Sequence, residues 1–104
     1  MSELRDPAII ALLAEARAQF ATTIPAKIAD LRSLLDRGAW DELRRAAHKL
    51  RGSTGTYGFM ELSVATGDVE DALLEAGGPP GPEVKERVER RVREATVEAD
   101  RIVK

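Results

Sequence analysis

The sequence predicts an all-α protein, an up-down-up-down bundle of four helices. Apolar residues recur every three or four positions along four segments, as on the buried face of a helix. Short runs containing Gly or Pro separate these segments, and no segment has the alternating pattern of a strand. Aromatic residues make up only 4% of the chain, so Leu, Ile, Val and Ala must form the core, which suits packed helices better than a β-sandwich. We expect residues 1–104 to form a single domain.

The first helix is predicted to begin at Asp6, which caps it, and Pro7, which fits the first helical position. Gly38 is a suitable C-terminal cap. Between these ends, apolar residues recur at helical spacing at Ile9, Ile10, Leu12, Leu13, Ala16, Phe20, Ile28, Leu31, Leu34 and Leu35. Pro25 removes one backbone hydrogen bond and disfavours helix at the residue before it. The pattern therefore predicts either one long helix kinked near Pro25 or two short ones.

The other three helices are bounded by glycine and proline. The second is predicted from about Trp40 to about Tyr57, with Gly58 ending it, and the third from about Phe59 to Ala76. The Gly/Pro run at residues 77–82 breaks the chain. The fourth helix is predicted from Glu83 to about Val103.

Composition excludes several classes of function. Without cysteine there is no disulfide, thiolate chemistry or cysteine zinc site, and a single histidine excludes imidazole-rich metal sites. A carboxylate site for Mg²⁺ or Ca²⁺ remains open, but no Asp-rich loop with calcium spacing is present, so we expect no metal site and no cofactor. A net charge of −2 provides no basic field for nucleic acid or an anionic membrane. The longest apolar run, Ala8 to Ala14, is far shorter than the roughly 20 residues that span a bilayer. With no apparent signal peptide, we expect a cytoplasmic protein.

The most informative segment surrounds His48, the chain's one histidine. On a helical wheel His48 lies about 200° from Leu50 and about 100° from Ala47, so it points outward or lies at a helix boundary. Four cations and no acid occur between residues 44 and 51 in a protein that is acidic overall. These cations are Arg44, Arg45, Lys49 and Arg51. Either they form an ordinary solvated basic face, or they neutralise the charge of an anionic group at His48.

Two glycines favour the second interpretation. Gly52 and Gly55 lie inside the predicted helix on the side of His48, although each costs about 1 kcal/mol relative to Ala. The bare backbone there would let another protein approach the imidazole. A neutral imidazole is a nucleophile toward phosphorus, and nearby cations, with Arg51 best placed, can neutralise a bound phosphoryl group.

The run from His48 to Gly58, His-Lys-Leu-Arg-Gly-Ser-Thr-Gly-Thr-Tyr-Gly, closely resembles the signature of histidine-containing phosphotransfer (HPt) domains. The preceding Ala46-Ala47 fits as well, and helix order and lengths are similar over nearly the whole chain. The resemblance implies a four-helix bundle that accepts a phosphoryl group on histidine and exchanges it with the aspartate of receiver domains.

Residue by residue, the resemblance implies that His48 is phosphorylated through its outer nitrogen, Nε2. Arg51 would be the cation that stabilises the phosphoryl group, at a position where lysine is commoner in the family. Gly52 would permit access, and Ser53 would be a small polar neighbour with a local hydrogen bond.

Glu70 of the third helix is a further candidate for the site. If the turn is centred on Gly58-Phe59, antiparallel packing places His48 opposite Val69. Val69 faces inward, so Glu70 lies at the edge of that face and either reaches the imidazole or is an ordinary surface acid. By the same arithmetic Gly67 lies opposite Arg51, where it marks close helix packing or is simply tolerated.

We therefore expect a phosphocarrier of a two-component phosphorelay, not an enzyme. The glycine-rich run at 52–58 lacks the Gly-Lys-Ser/Thr ending and preceding strand of a P-loop, so no nucleotide site is predicted. The expected partners are the receiver domain of a response regulator, a histidine kinase, or both, with Mg²⁺ held by the receiver. The first helix is expected to contribute apolar contacts, with Ile24 or nearby residues as candidates, and the protein is expected to be a monomer. The alternatives are the phosphoryl-accepting domain of a larger, chemotaxis-type or hybrid kinase, and a helical binding module that is never phosphorylated.

Overall fold

The computed structural model describes residues 6–103, which form four helices and no strand. The helices are α1 (Pro7–Asp36), α2 (Trp40–Thr56), α3 (Met60–Ala76) and α4 (Pro82–Ile102). The all-α prediction is confirmed, and the ends of α2, α3 and α4 lie within one residue of those predicted. Left-handed glycines follow each of the first three helices, with φ of 66° at Gly38, 80° at Gly58 and 67° at Gly77.

The first helix is continuous through Pro25, so the alternative of two short helices is wrong. Its start follows the prediction: the Asp6 carboxylate accepts a hydrogen bond of 2.8 Å from the Ala8 amide, and Pro7 occupies the first turn. Ile24 and Ile28, on either side of Pro25, are both buried. Because the helix packs on the bundle immediately before and after Pro25, tertiary contacts outweigh the backbone bond that Pro25 removes.

The core lies between all four helices and is almost entirely aliphatic. Each helix packs against two others, α1 on α2 and α4, and α3 on α2 and α4. The buried apolar residues are Ile24, Ile28, Leu31, Leu43, Ala47, Leu50, Phe59, Leu62, Ala65, Val69, Ala72, Leu73, Val88, Val92, Ala95 and Ala99. Within the described part of the chain, every buried side-chain polar atom has a hydrogen-bond partner.

The N-terminal turns of α1 depart from the predicted pattern. Ile10, Leu12 and Leu13 are each more than half exposed, although their spacing predicts a buried face. Arg17 marks where the bundle ends, since its Nε donates a 2.9 Å hydrogen bond to the Tyr57 carbonyl at the end of α2. Residues of α1 before Arg17 therefore lie beyond the turn between α2 and α3 and have little to pack against.

Candidate functional site around His48

The exposure of His48 follows from the face that α2 buries. Leu43, Ala47, Leu50 and Thr54 point into the core. His48 falls outside this stripe, and 69% of its side chain is exposed. The structure thus places the imidazole on the surface of the α2–α3 pair, where another macromolecule can reach it.

Glu70 of α3 contacts the imidazole from the interior side. Its Oε2 lies 2.7 Å from His48 Nδ1, and only 9% of the glutamate side chain is exposed. The neighbouring Val69 is buried, which brings Glu70 to the edge of the inward face. A carboxylate can only accept hydrogen bonds, so Nδ1 carries the proton and Nε2 of the neutral ring keeps its lone pair.

The Arg51 side chain extends from α2 to two carboxylates of α3. Its Nη1 is 3.2 Å from Glu70 Oε1 and 3.2 Å from Asp71 Oδ1. The hydrogen bond to Glu70, followed by the charge of Asp71, holds the pKa of Arg51 above its ordinary range. The guanidinium is therefore a permanent cation that shares the Glu70 carboxylate with His48, one oxygen each.

The three small residues after Arg51 have different surroundings. Gly52 is exposed, and no described atom beyond its own helical turn lies within 4 Å of where its Cβ would be. The Ser53 hydroxyl donates a 3.1 Å hydrogen bond to the Lys49 carbonyl. A Cβ on Gly55 would lie 3.2 Å from Ser63 Oγ, so packing of α2 on α3 accounts for that glycine without any partner.

Arg44 and Arg45 are both paired with an acid of their own helix, Asp41. Arg44 donates a 3.0 Å hydrogen bond to Asp41, and Arg45 pairs with the other oxygen of the same carboxylate. These bonds, the one from Arg44 first, lower the pKa of Asp41. Asp41 lies three and four residues before Arg44 and Arg45, the spacings at which helical ion pairs form, so this acid belongs with the run of four cations.

Lys49 faces the opposite side of α2 from Arg51. It lines a shallow groove of about 210 Å³ between α1 and α2. The other lining residues are Lys27, Asp30, Ala46, Leu50 and Ser53. Ile24 is absent from this surface because it is completely buried in the core, so the prediction that it contacts a partner is wrong.

Sequence reasoning missed Asp71, the second acceptor for Arg51. The signal was present, since Asp71 follows Glu70 and lies one helical turn from Gly67, the position predicted to face Arg51. Among residues 6–103, no three His, Asp or Glu side chains come together in a way that could hold a metal ion. None of the helices described is long and apolar enough to cross a bilayer.

The sequence model of one family, the Hpt domain, matches residues 15–99, which include all of α2 and α3. The chain belongs to the Hpt domain family, the histidine phosphotransfer domains of phosphorelays. The resemblance noted from the His48 run is thereby confirmed. Hpt domains are phosphocarriers that interact with kinases and receiver domains. No curated protein and no solved structure matches this chain.

Proposed function

We propose that this protein is a phosphocarrier of a two-component phosphorelay, built as an up-down-up-down bundle, in which His48 Nε2 exchanges a phosphoryl group with a receiver aspartate. The observation that carries the proposal is the hydrogen bond between His48 Nδ1 and Glu70 on an otherwise exposed ring. It fixes the tautomer whose lone pair is on the nitrogen facing solvent.

The transfer is a nucleophilic displacement at phosphorus. The Nε2 lone pair of neutral His48 attacks the phosphorus of a receiver's aspartyl phosphate, the N–P bond forms, and the P–O bond to the aspartate breaks. The aspartate leaves as a carboxylate, and the imidazole becomes cationic with its Nδ1 proton still bonded to Glu70. No proton has to leave the ring, so the site needs no separate base. Donation to another receiver is the reverse of these steps.

The surface around His48 supports docking by a receiver domain. Gly52, one turn along α2, leaves open space beside the imidazole. On the α1 side, the groove lined by Lys27 and Lys49, with the single acid Asp30, offers two cations and apolar surface to an acidic partner. Mg²⁺ belongs to the receiver in this proposal, and Arg51, one helical turn from His48 and bonded to the same Glu70 carboxylate, is the cation that would turn toward a phosphoryl group on Nε2.

The test is phosphoryl transfer from a panel of phosphorylated receiver domains in Mg²⁺ to the wild type and to His48→Gln. Because His48 is mostly exposed, His48→Gln is expected to keep the fold, which circular dichroism checks. Label that is acid-labile and alkali-stable, and is present on the wild type alone, is the expected result.

Two other outcomes redirect the proposal. Labelling by a histidine kinase catalytic domain, but by no receiver, would identify the chain as the phosphoryl-accepting domain of a larger kinase. Absence of label from every donor, with the bundle folded, would leave a binding module that is not phosphorylated.

A further inference from the structure

Gly67 of α3 is buried directly beneath the Arg51 side chain. A Cβ at Gly67 would lie 2.9 Å from Arg51 Nε and 3.2 Å from both Cδ and Cζ. Nonbonded heavy atoms with carbon normally approach to about 3.5–4.0 Å. Any side chain at position 67 would therefore displace the guanidinium group of Arg51.

Backbone conformation does not explain this glycine. Gly67 lies within α3 and is not one of the glycines with positive φ, and glycine is unfavourable in the middle of a helix. The three heavy atoms nearest to its Cβ position all belong to Arg51, and none belongs to the backbone of another helix. The space left by the missing side chain is thus occupied first by the side chain of Arg51.

Along that path Arg51 reaches the carboxylate that holds His48. Arg51 Nη1 donates a hydrogen bond to Glu70 Oε1, while His48 Nδ1 donates one to Glu70 Oε2. Asp71 accepts from the same Nη1 and retains the guanidinium over α3. With both oxygens engaged, the carboxylate plane is fixed, and the imidazole plane follows from it.

We propose that Gly67 is a positioning residue for His48: its missing side chain leaves room for Arg51 to lie along α3 and fix the Glu70 carboxylate that orients the imidazole. The proposal rests on the proposed function only for its effect on phosphoryl transfer, because the orientation of the ring exists without it. In this proposal Arg51 orients His48 through Glu70 before phosphoryl transfer, in addition to neutralising the phosphoryl group after transfer.

The first test measures the tautomer of His48 by ¹⁵N chemical shifts at a pH where the ring is neutral. Wild type is expected to be mainly the Nδ1–H tautomer, and Gly67→Ala to contain more of the Nε2–H tautomer. In an Arg51→Ala background, Gly67→Ala should cause no further change, since its effect passes through Arg51. This readout needs no phosphoryl donor, so it stands even if the proposed function fails.

The second test measures phosphorylation rate and phosphohistidine lifetime separately. Gly67→Ala is expected to slow phosphorylation about threefold to tenfold, the size of one displaced hydrogen bond, while the lifetime stays near that of the wild type. Arg51→Ala should change both, because it also removes the cation.

Two results would overturn the proposal. One is an unchanged tautomer in Gly67→Ala, and the other is a change of equal size with and without Arg51, which would mean that the methyl group acts through packing. Because the displaced atoms are the end of a flexible side chain, Gly67→Ala should fold, as a thermal melt verifies. Should it not fold, Arg51→Gln breaks the same contact from α2 without adding atoms to α3, and an unchanged tautomer there also refutes the proposal.

Discussion

His48 and Glu70 form a hydrogen bond of 2.7 Å although 69% of the histidine side chain is exposed and only 9% of the glutamate is. The contact joins a surface ring to a carboxylate at the edge of the core. Glu70 of α3 bonds Nδ1 from the interior side and so orients the ring. The position of His48 on α2 leaves Nε2 accessible to a partner.

Glu70→Gln is expected to slow phosphoryl transfer from a phosphorylated receiver by about 10- to 100-fold. The amide still bonds the ring, but it loses the charge that stabilises a cationic imidazole, and hydrogen bonds to charged groups contribute about 1.5–3 kcal/mol. Initial transfer rates measure the effect. Glu75→Gln is the matched control on the same helix, since Glu75 is exposed and its partner is Arg87. Equal rates for Glu70→Gln and wild type would contradict the role of Glu70.

Two leucines of α1 should differ sharply when truncated. Leu31 is completely buried, so Leu31→Ala should lower the free energy of unfolding by about 2–5 kcal/mol. Leu13 lies beyond the bundle and is mostly exposed, so Leu13→Ala should change the free energy of unfolding by no more than about 0.5 kcal/mol. Urea denaturation of both variants measures the difference. A large loss in Leu13→Ala would mean that the N-terminal turns are packed.

Gly77 ends α3 in the left-handed region, with φ of 67°. Gly77→Ala should destabilise the protein by about 1–2 kcal/mol, because a Cβ is strained in that conformation. Gly78→Ala is the control, since Gly78 is not among the glycines with positive φ and its Cβ would meet open space. Thermal melts should separate the two variants by several degrees, and identical melts would count against a left-handed cap.

Asp68 joins α3 to α4 through Arg87 and Arg91. The hydrogen bond from Arg87, aided by the one from Arg91, lowers the pKa of Asp68 from 3.8 to about 2. The folded pKa lies below the unfolded one, so the stabilisation is complete above pH 3.8 and is lost as the pH falls toward 2. Its size is on the order of 1–2 kcal/mol, reduced because both arginines are about one-third exposed.

Asp68→Asn should therefore be less stable than wild type at pH 7, and the two should converge near pH 2. Unfolding by urea across this pH range gives the comparison. Asp100→Asn is the control, because Asp100 is exposed and takes part in none of the ion pairs among the described residues. A constant difference between Asp68→Asn and wild type at every pH would show that the carboxylate is not the group responsible.

The sequence predicts well what local chemistry decides. Helix ends follow from Gly58, Gly77 and Pro82, whose backbone preferences act within a few residues. The effect of Pro25 is harder to predict. Its local preference is to interrupt a helix, but the helix is buried on both sides of it by contacts that are distant in sequence. Periodicity likewise indicates an apolar face on α1 but not whether another helix is long enough to cover it.

For the site, the sequence predicts which residues of α2 and α3 lie opposite one another. Antiparallel arithmetic placed Glu70 near His48 and Gly67 near Arg51, because it needs only the turn and the helical rise. It could not give the direction of the Arg51 side chain, which has several rotatable bonds and is set by Glu70, Asp71 and the space at Gly67. The basic run is a different case, because the spacing of Arg44 and Arg45 from Asp41 does indicate their pairing, whereas the separation of Lys49 from Arg51 follows from the two sides of α2 on which they lie.

The turns of α1 before Arg17 have a thermal consequence. An isolated helix shorter than about 12–15 residues is marginal in water, so these turns persist chiefly by propagation from the packed part of α1. As temperature rises, α1 should shorten from its N-terminus while the bundle remains intact. During a thermal melt, the circular dichroism signal of helix would then begin to fall before the fluorescence of Trp40 changes. Trp40 packs against the core at the other end of the molecule.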